Sequence, residues 1–141
     1  MALAALITWL VTALGGFYML GIWISRGGAR QQQTGGASRL PVPVVFGHFA
    51  LAAAGLVVWI IYLVTDKAAL AWTAFGLLVP VALLGFTMLA RWLPVRGAPS
   101  GAGDAESAER HFPVPVVVAH GLFAVATVVI VLLTALGIGG S

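Results

Sequence analysis

The chain has 141 residues, of which 61% are hydrophobic and only 8% are charged. Because soluble domains carry about 25% charged residues, this composition excludes an ordinary water-soluble domain. The formal net charge is +3 and there is no cysteine, which excludes disulfides, thiolate metal sites and cysteine nucleophiles.

Four long apolar segments follow one another, and each predicts a transmembrane helix. At about 1.5 Å rise per residue, each is long enough to cross a hydrocarbon core of about 30 Å. No Asp, Glu or Lys lies inside any of them, and they cover residues 2–25, 42–65, 69–92 and 114–138. The first is longer than the apolar part of a signal peptide and follows no basic segment, so we expect it to be a retained helix. The chain is therefore predicted to be all-α, an integral membrane four-helix bundle.

The arginines concentrate in the two long connections, at residues 27–40 and 96–110. Because cytoplasmic loops carry an excess of Lys and Arg, we expect a multi-pass protein of the cell membrane with both long loops in the cytoplasm. The Asp66–Lys67 turn and both termini would then lie outside. Both long connections are predicted to be mobile loops without a catalytic site. Their arginines would contact anionic lipid headgroups, so the bilayer is the expected partner and nucleic acid is not.

The two halves of the chain resemble each other, which predicts a duplicated hairpin. The first helix contains GFYML from Gly16 and the third contains GFTML from Gly85, an offset of 69 residues. The second and fourth helices begin with PVPVVFGH ending at His48 and PVPVVVAH ending at His120, an offset of 72 residues. One membrane domain is thus divided into repeat 1, about residues 1–66, and repeat 2, about residues 67–141. Two spans per repeat predict a pseudo-two-fold axis along the membrane normal.

His48 and His120 are the candidate functional residues, since ionisable side chains are costly within a membrane. Each lies seven residues after the first proline of its motif, about 10 Å into the helix by helical rise, so both are expected at the same depth. Two neutral imidazoles on related helices can ligate one haem iron from both faces. We therefore predict one b-type haem with His48 and His120 as axial ligands.

Five further residues are predicted to surround this cofactor. Phe17 and Phe86, with Met19 and Met88, lie in the repeated motif of the first and third helices and are expected to pack around the macrocycle. Arg39, near the loop end of the second helix, is expected to pair with a propionate, together with Arg26 and Arg110.

Other interpretations of the same residues stay open. A membrane histidine can simply donate a hydrogen bond to a neighbouring helix, which would leave a structural or accessory subunit without a cofactor. Two His and two Met would suit Cu(I), although Met is a common core filler. A small transporter is less favoured because no intramembrane carboxylate is available to couple ions. No hydrolase or phosphate-binding motif is present, so the chain is at most a redox subunit.

The tryptophans are predicted to form an interfacial aromatic belt. They are Trp9, Trp23, Trp59, Trp72 and Trp92, and most fall toward the ends of the predicted helices.

The paired hairpins, with GFxML and PVPVVxxH, resemble small four-helix membrane proteins of actinobacteria, a resemblance that brings no functional residues with it. More loosely, histidines on bundle helices are similar to those of b-type cytochrome membrane anchors. That similarity implies an electron-transfer or anchor subunit that works with a membrane quinone or another membrane subunit, and a homo-oligomer is possible. Many such anchors carry four ligand histidines, whereas this chain has one intramembrane pair.

Overall fold

The computed structural model describes residues 1–99 and 105–139 and is helical throughout its ordered elements. The elements are α1 (Ala2–Ser25), α2 (Gly28–Gln33), α3 (Val42–Thr65), α4 (Ala68–Arg96), a 3-10 helix (Ala108–His111) and α5 (Val114–Ala135). The four long helices α1, α3, α4 and α5 are each long and apolar enough to cross a membrane. The predicted all-α bundle, with four packed helices each able to span a membrane, is confirmed.

Helices α5 and α4 end at different residues from those predicted, because a glycine cap ends α5 and contacts with the loops extend α4. Helix α5 ends at Ala135 because Gly137 adopts a left-handed conformation, φ 73°. The Ile138 N–H donates to the Leu133 carbonyl at 2.9 Å, which closes a glycine cap typical of helix C-termini. Helix α4 continues four residues past the predicted end at 92, to Arg96, because Trp92 and Val95 are buried there.

The four long helices form a ring in the order α1, α5, α4, α3. The most extensive contacts are α1 with α5 and α3 with α4, so each predicted hairpin packs mainly against the other. Helices α3 and α5, which carry the two membrane histidines, therefore lie on one diagonal of the bundle.

Small residues give the bundle interior its close packing at the end that holds the Asp66–Lys67 turn. Ala5, Ala71 and Ala74 are buried there around the indoles of Trp9 and Trp59. A Cβ added at Gly55 would lie 3.1 Å from two ring carbons of Trp9. A large side chain at any of these positions would force the helices apart.

The predicted aromatic belt is wrong for four of the five tryptophans. Trp9, Trp23, Trp59 and Trp92 are at most 4% exposed, and only Trp72 is exposed, at 45%. Three of the buried indoles donate from Nε1, to the Ser38 hydroxyl, the Ala2 carbonyl and the Glu109 carbonyl. These bonds satisfy the N–H group inside the protein, so it does not need the lipid headgroup region.

The long connections are also more structured than predicted. Gln31, in α2, donates from Nε2 to the Glu106 carbonyl at 3.0 Å and accepts from the Ala108 N–H at 3.1 Å. Trp23, Leu40, Val45 and Ala108 form a second apolar cluster under these contacts. The described parts of the two loops therefore pack together as a cap over one end of the bundle.

Candidate cofactor site between paired histidines

The structure brings His48 of α3 and His120 of α5 together in the loop-side half of the bundle. Their ring centroids are 6.3 Å apart and the ring planes are inclined by 55°. Both side chains are partly buried. Because α3 and α5 are diagonal, the two rings meet across the interior of the bundle.

Each imidazole is fixed by a backbone carbonyl of a neighbouring helix. His48 Nδ1 lies 2.9 Å from the Val81 carbonyl of α4, and His120 Nδ1 lies 2.8 Å from the Thr12 carbonyl of α1. A carbonyl only accepts, so each Nδ1 must be the protonated donor, and in a neutral ring the lone pair is then on Nε2. Within residues 1–99 and 105–139, neither Nε2 has a hydrogen-bond partner.

Glycines allow α1 and α4 to approach the rings. A Cβ at Gly85 would lie 3.3 Å from His48 Cε1, and one at Gly16 would lie 3.2 Å from His120 Cε1. These two glycines are the ones matched by the predicted repeat, and the carbonyl acceptors Thr12 and Val81 have the same offset of 69. Equivalent contacts at both histidines are what a pseudo-two-fold axis requires, and that axis stays a prediction.

The spacing of the rings can be compared with that of two ligands on one metal. An imidazole nitrogen lies about 2 Å from a bound metal, as in zinc sites, and the ring centre about 1 Å behind it, so two such rings have centroids about 6 Å apart. The observed 6.3 Å agrees with that value. Aromatic rings in simple contact are also about 4.5–7 Å apart, so the spacing permits a bridging metal without requiring one.

In the part of the chain that the structure describes, two candidate ligand side chains meet here. Among residues 1–99 and 105–139, no group of three or more His, Asp or Glu side chains is placed to hold a metal ion. A bare metal ion would therefore lack a full coordination shell here, whereas a haem would bring four nitrogens of its own, and His48 and His120 could complete the coordination of its iron. The donor set fits haem better than an isolated ion.

The other predicted site residues have varied surroundings. Phe17 and Phe86 are 56% and 60% exposed, and the Phe17 ring makes an edge contact with Phe49. Met88 packs against the cluster of Trp23, Leu40, Val45 and Ala108, as a core filler would, and Met19 is partly buried. These placements add no support for packing around a macrocycle or for a copper site with two methionines.

The side chain of Arg39 is exposed, whereas its backbone N–H and carbonyl are both hydrogen-bonded. Its N–H donates to a carboxylate oxygen of Glu109, and its carbonyl accepts from Arg91 Nη1 at 3.2 Å. The pairing of Arg39 with a propionate stays a prediction.

Glu109 is the polar residue that the sequence interpretation missed. It is 0% exposed, and its carboxylate accepts hydrogen bonds from the Ser38 hydroxyl and the Arg39 N–H. Its position in a connection rich in Gly, Ala and Ser gave no sign of burial. The one available signal was its place four residues before the proline that precedes α5.

No protein-family model, curated protein or solved structure matches this chain. Its class therefore follows from its own structure. It is a helical bundle with four helices able to span a membrane and a histidine pair in its interior.

Proposed function

We propose that the protein binds one b-type haem between His48 and His120 and serves as a membrane electron-transfer or anchor subunit. The observation that carries the proposal is the pair of imidazoles with ring centroids 6.3 Å apart, each with Nδ1 held by a carbonyl and Nε2 without a partner among the described residues. A bound haem would supply one-electron redox chemistry, which suits exchange with a membrane quinone or with another membrane subunit.

The protein's own contribution would be to fix the ligands before the cofactor arrives. A ligating histidine usually donates its second N–H to a carbonyl or carboxylate, which sets the tautomer and the ring orientation. Val81 and Thr12 provide that acceptor for His48 and His120 respectively. The surrounding apolar helices would exclude water from the iron, which influences its reduction potential.

The test is an absorption spectrum of the full-length protein produced with ample haem. We expect a Soret band, with sharp α and β bands on reduction, at a ratio of one haem per chain. His48→Gln and His120→Gln should each lose the low-spin reduced spectrum, because the amide can still donate to the carbonyl but does not replace imidazole as an iron ligand. His111→Gln, on the third histidine, is the matched control and should keep the spectrum.

A protein that purifies folded and colourless despite haem supply would contradict the proposal. Retained spectra in both membrane histidine variants would contradict the assigned ligands. Gel filtration and circular dichroism of each variant separate the loss of a ligand from the loss of the fold.

The second candidate function is a structural or accessory membrane subunit without a cofactor. The observation in its favour is that both Nδ1 groups already make interhelical hydrogen bonds, which is a sufficient use for a membrane histidine. On this alternative the His→Gln variants would retain the assembly, and the partner would be another membrane subunit or a second copy of the chain.

A further inference from the structure

A second polar site lies in the cap formed by the two loops. A cavity of about 250 Å³ opens beside the end of α4, and its lining includes Pro94 and Val95 of α4 together with Arg39, Ser107 and Arg110. Val95 is ten residues beyond Gly85, which is about 15 Å along α4 by helical rise. The cavity is thus separate from the histidine pair.

The Ser107 hydroxyl points to a missing partner in this region. Ser107 is only 7% exposed, and its Oγ is buried with no hydrogen-bond partner in residues 1–99 and 105–139. Buried polar groups are nearly always satisfied, and leaving one unpaired lowers stability. A ligand oxygen within reach would restore the missing bond.

The charges around the cavity favour an anion. Arg39 and Arg110 both line it, and Arg91 lies beside them with its Nη1 on the Arg39 carbonyl. Glu106 also lines the cavity and lies 3.6 Å from Arg110 Nε. A guanidinium has five donors in a planar fork, so Arg110 can keep Glu106 on Nε and offer its two terminal amino groups to a ligand.

We infer that this cavity binds a phosphate group, which Arg39, Arg110 and Ser107 would hold by charge-assisted hydrogen bonds. Phosphate has the negative charge and the several acceptor oxygens that two guanidinium forks and a hydroxyl require. The group can belong to an anionic lipid, since the site lies just past residue 92, the predicted end of the third span, or to free phosphate. The inference does not depend on haem.

The experiment measures thermal unfolding of the full-length protein in neutral detergent, with additions of phosphatidylglycerol, phosphatidylcholine or inorganic phosphate. We expect phosphatidylglycerol to raise the unfolding midpoint more than phosphatidylcholine does. Arg39→Gln and Arg110→Gln should each increase the concentration for half effect by about tenfold or more, as the loss of a hydrogen bond to a charged group predicts. Arg30→Gln, an exposed arginine of α2 outside the cavity, should respond like the wild type.

Ser107→Ala gives the sharpest test, because we expect it to leave unchanged or raise the unfolding midpoint of the free protein but to reduce the gain in midpoint that the lipid produces. Without additive, removal of an unpaired buried hydroxyl should leave the midpoint unchanged or raise it. With phosphatidylglycerol, the same variant should show a smaller gain than the wild type. Ser25→Ala, an exposed serine at the end of α1, is the matched control and should keep the full gain.

The arms also identify the source of the phosphate. A shift with phosphatidylglycerol alone assigns the site to lipid, and a shift with inorganic phosphate that shows the same variant dependence assigns it to free phosphate. The inference is overturned if neither additive shifts the midpoint, or if the Arg39, Arg110 and Ser107 variants respond like their controls.

Discussion

Glu109 joins the two loops of the cap through both its side chain and its backbone. Its carboxylate accepts from the Ser38 hydroxyl at 2.9 Å and from the Arg39 N–H, and its carbonyl accepts from Trp92 Nε1 at 3.1 Å. The Ser38 hydroxyl in turn accepts from Trp23 Nε1 at 3.1 Å. The Glu109 carboxylate thus joins the two loops to each other and, through Ser38, to the end of α1, while the Glu109 backbone carbonyl joins them to the end of α4.

We predict that Glu109→Ala lowers the free energy of unfolding by about 2–4 kcal/mol, because it leaves the buried Ser38 hydroxyl and the partly buried Arg39 N–H without an acceptor. Glu109→Gln keeps one acceptor oxygen and should cost less. Reversible unfolding in mixed micelles, followed by tryptophan fluorescence, measures both values. A Glu109→Ala protein as stable as the wild type would show that the loops do not depend on this carboxylate.

The glycines beside the histidine rings provide a second prediction about single residues. In Gly16→Ala and Gly85→Ala the new Cβ would lie 3.2–3.3 Å from Cε1 of a histidine ring. A hydrogen bond from Nδ1 to a backbone carbonyl already holds that ring in place. We expect both variants to lose stability and to broaden or weaken any haem spectrum.

Gly76→Ala is the control for that pair, since no atom lies within 4 Å of the added Cβ. It should stabilise α4 by up to about 1 kcal/mol through helix propensity alone. Equal behaviour of all three alanine variants in unfolding would mean that the rings are not confined by α1 and α4.

At the scale of the elements, the four spans could be predicted because length and apolar composition alone decide which segments cross a membrane. Their ends could not, because the extension of α4 depends on Trp92 and Val95 meeting the loops. The tryptophans were misjudged for a related reason. An indole near the end of a span has the same sequence signature whether it meets lipid headgroups or a carbonyl from another segment.

The candidate site was only partly predictable, because contacts between distant segments leave no local signal in the sequence. The matched motifs place His48 and His120 at one depth, since both lie the same number of residues from a proline at the start of the helix. Ring orientation depends instead on which helices become neighbours, and the carbonyls of Thr12 and Val81 carry no side-chain signal. The role of Glu109 requires two loops to meet, which no local pattern encodes.

The contact between α1 and α5 includes a pair of hydroxyls that can be tested separately. Thr127 is 2% exposed, and its Oγ1 lies 3.0 Å from the Thr8 hydroxyl and 2.8 Å from the Phe123 carbonyl. We predict that Thr127→Val, which keeps the shape, lowers the free energy of unfolding by about 0.6–1.7 kcal/mol, between the average and the largest values measured for interhelical hydrogen bonds in a membrane protein.

Thr73→Val is the control for this interface. Thr73 is exposed on α4 and bonds only the Ala69 carbonyl of its own helix, so its removal should change stability by less than that. Unfolding in the same mixed micelles compares the two variants. A cost for Thr73→Val equal to that for Thr127→Val would contradict a specific role for the hydroxyl pair.

For the whole molecule, the arrangement of charge predicts its orientation in the membrane. The structure places both long loops at one end of the bundle, because they bond to each other through Gln31 and Glu109. The Asp66–Lys67 turn joins the opposite ends of α3 and α4. With six of the seven basic residues on the loop side or at its edge, the loop cap is expected to face the cytoplasm.

The absence of cysteine makes this orientation directly measurable, since a single introduced thiol has no background. Gln33→Cys lies at the exposed end of α2 in the loop cap, and Lys67→Cys lies in the exposed turn. With a membrane-impermeant maleimide on intact cells, we expect Lys67→Cys to react and Gln33→Cys to react only after permeabilisation. The reverse pattern would show the opposite topology, with the loop cap on the outside of the cell. Reaction at both positions would indicate dual insertion, which the strong charge asymmetry between the two ends opposes.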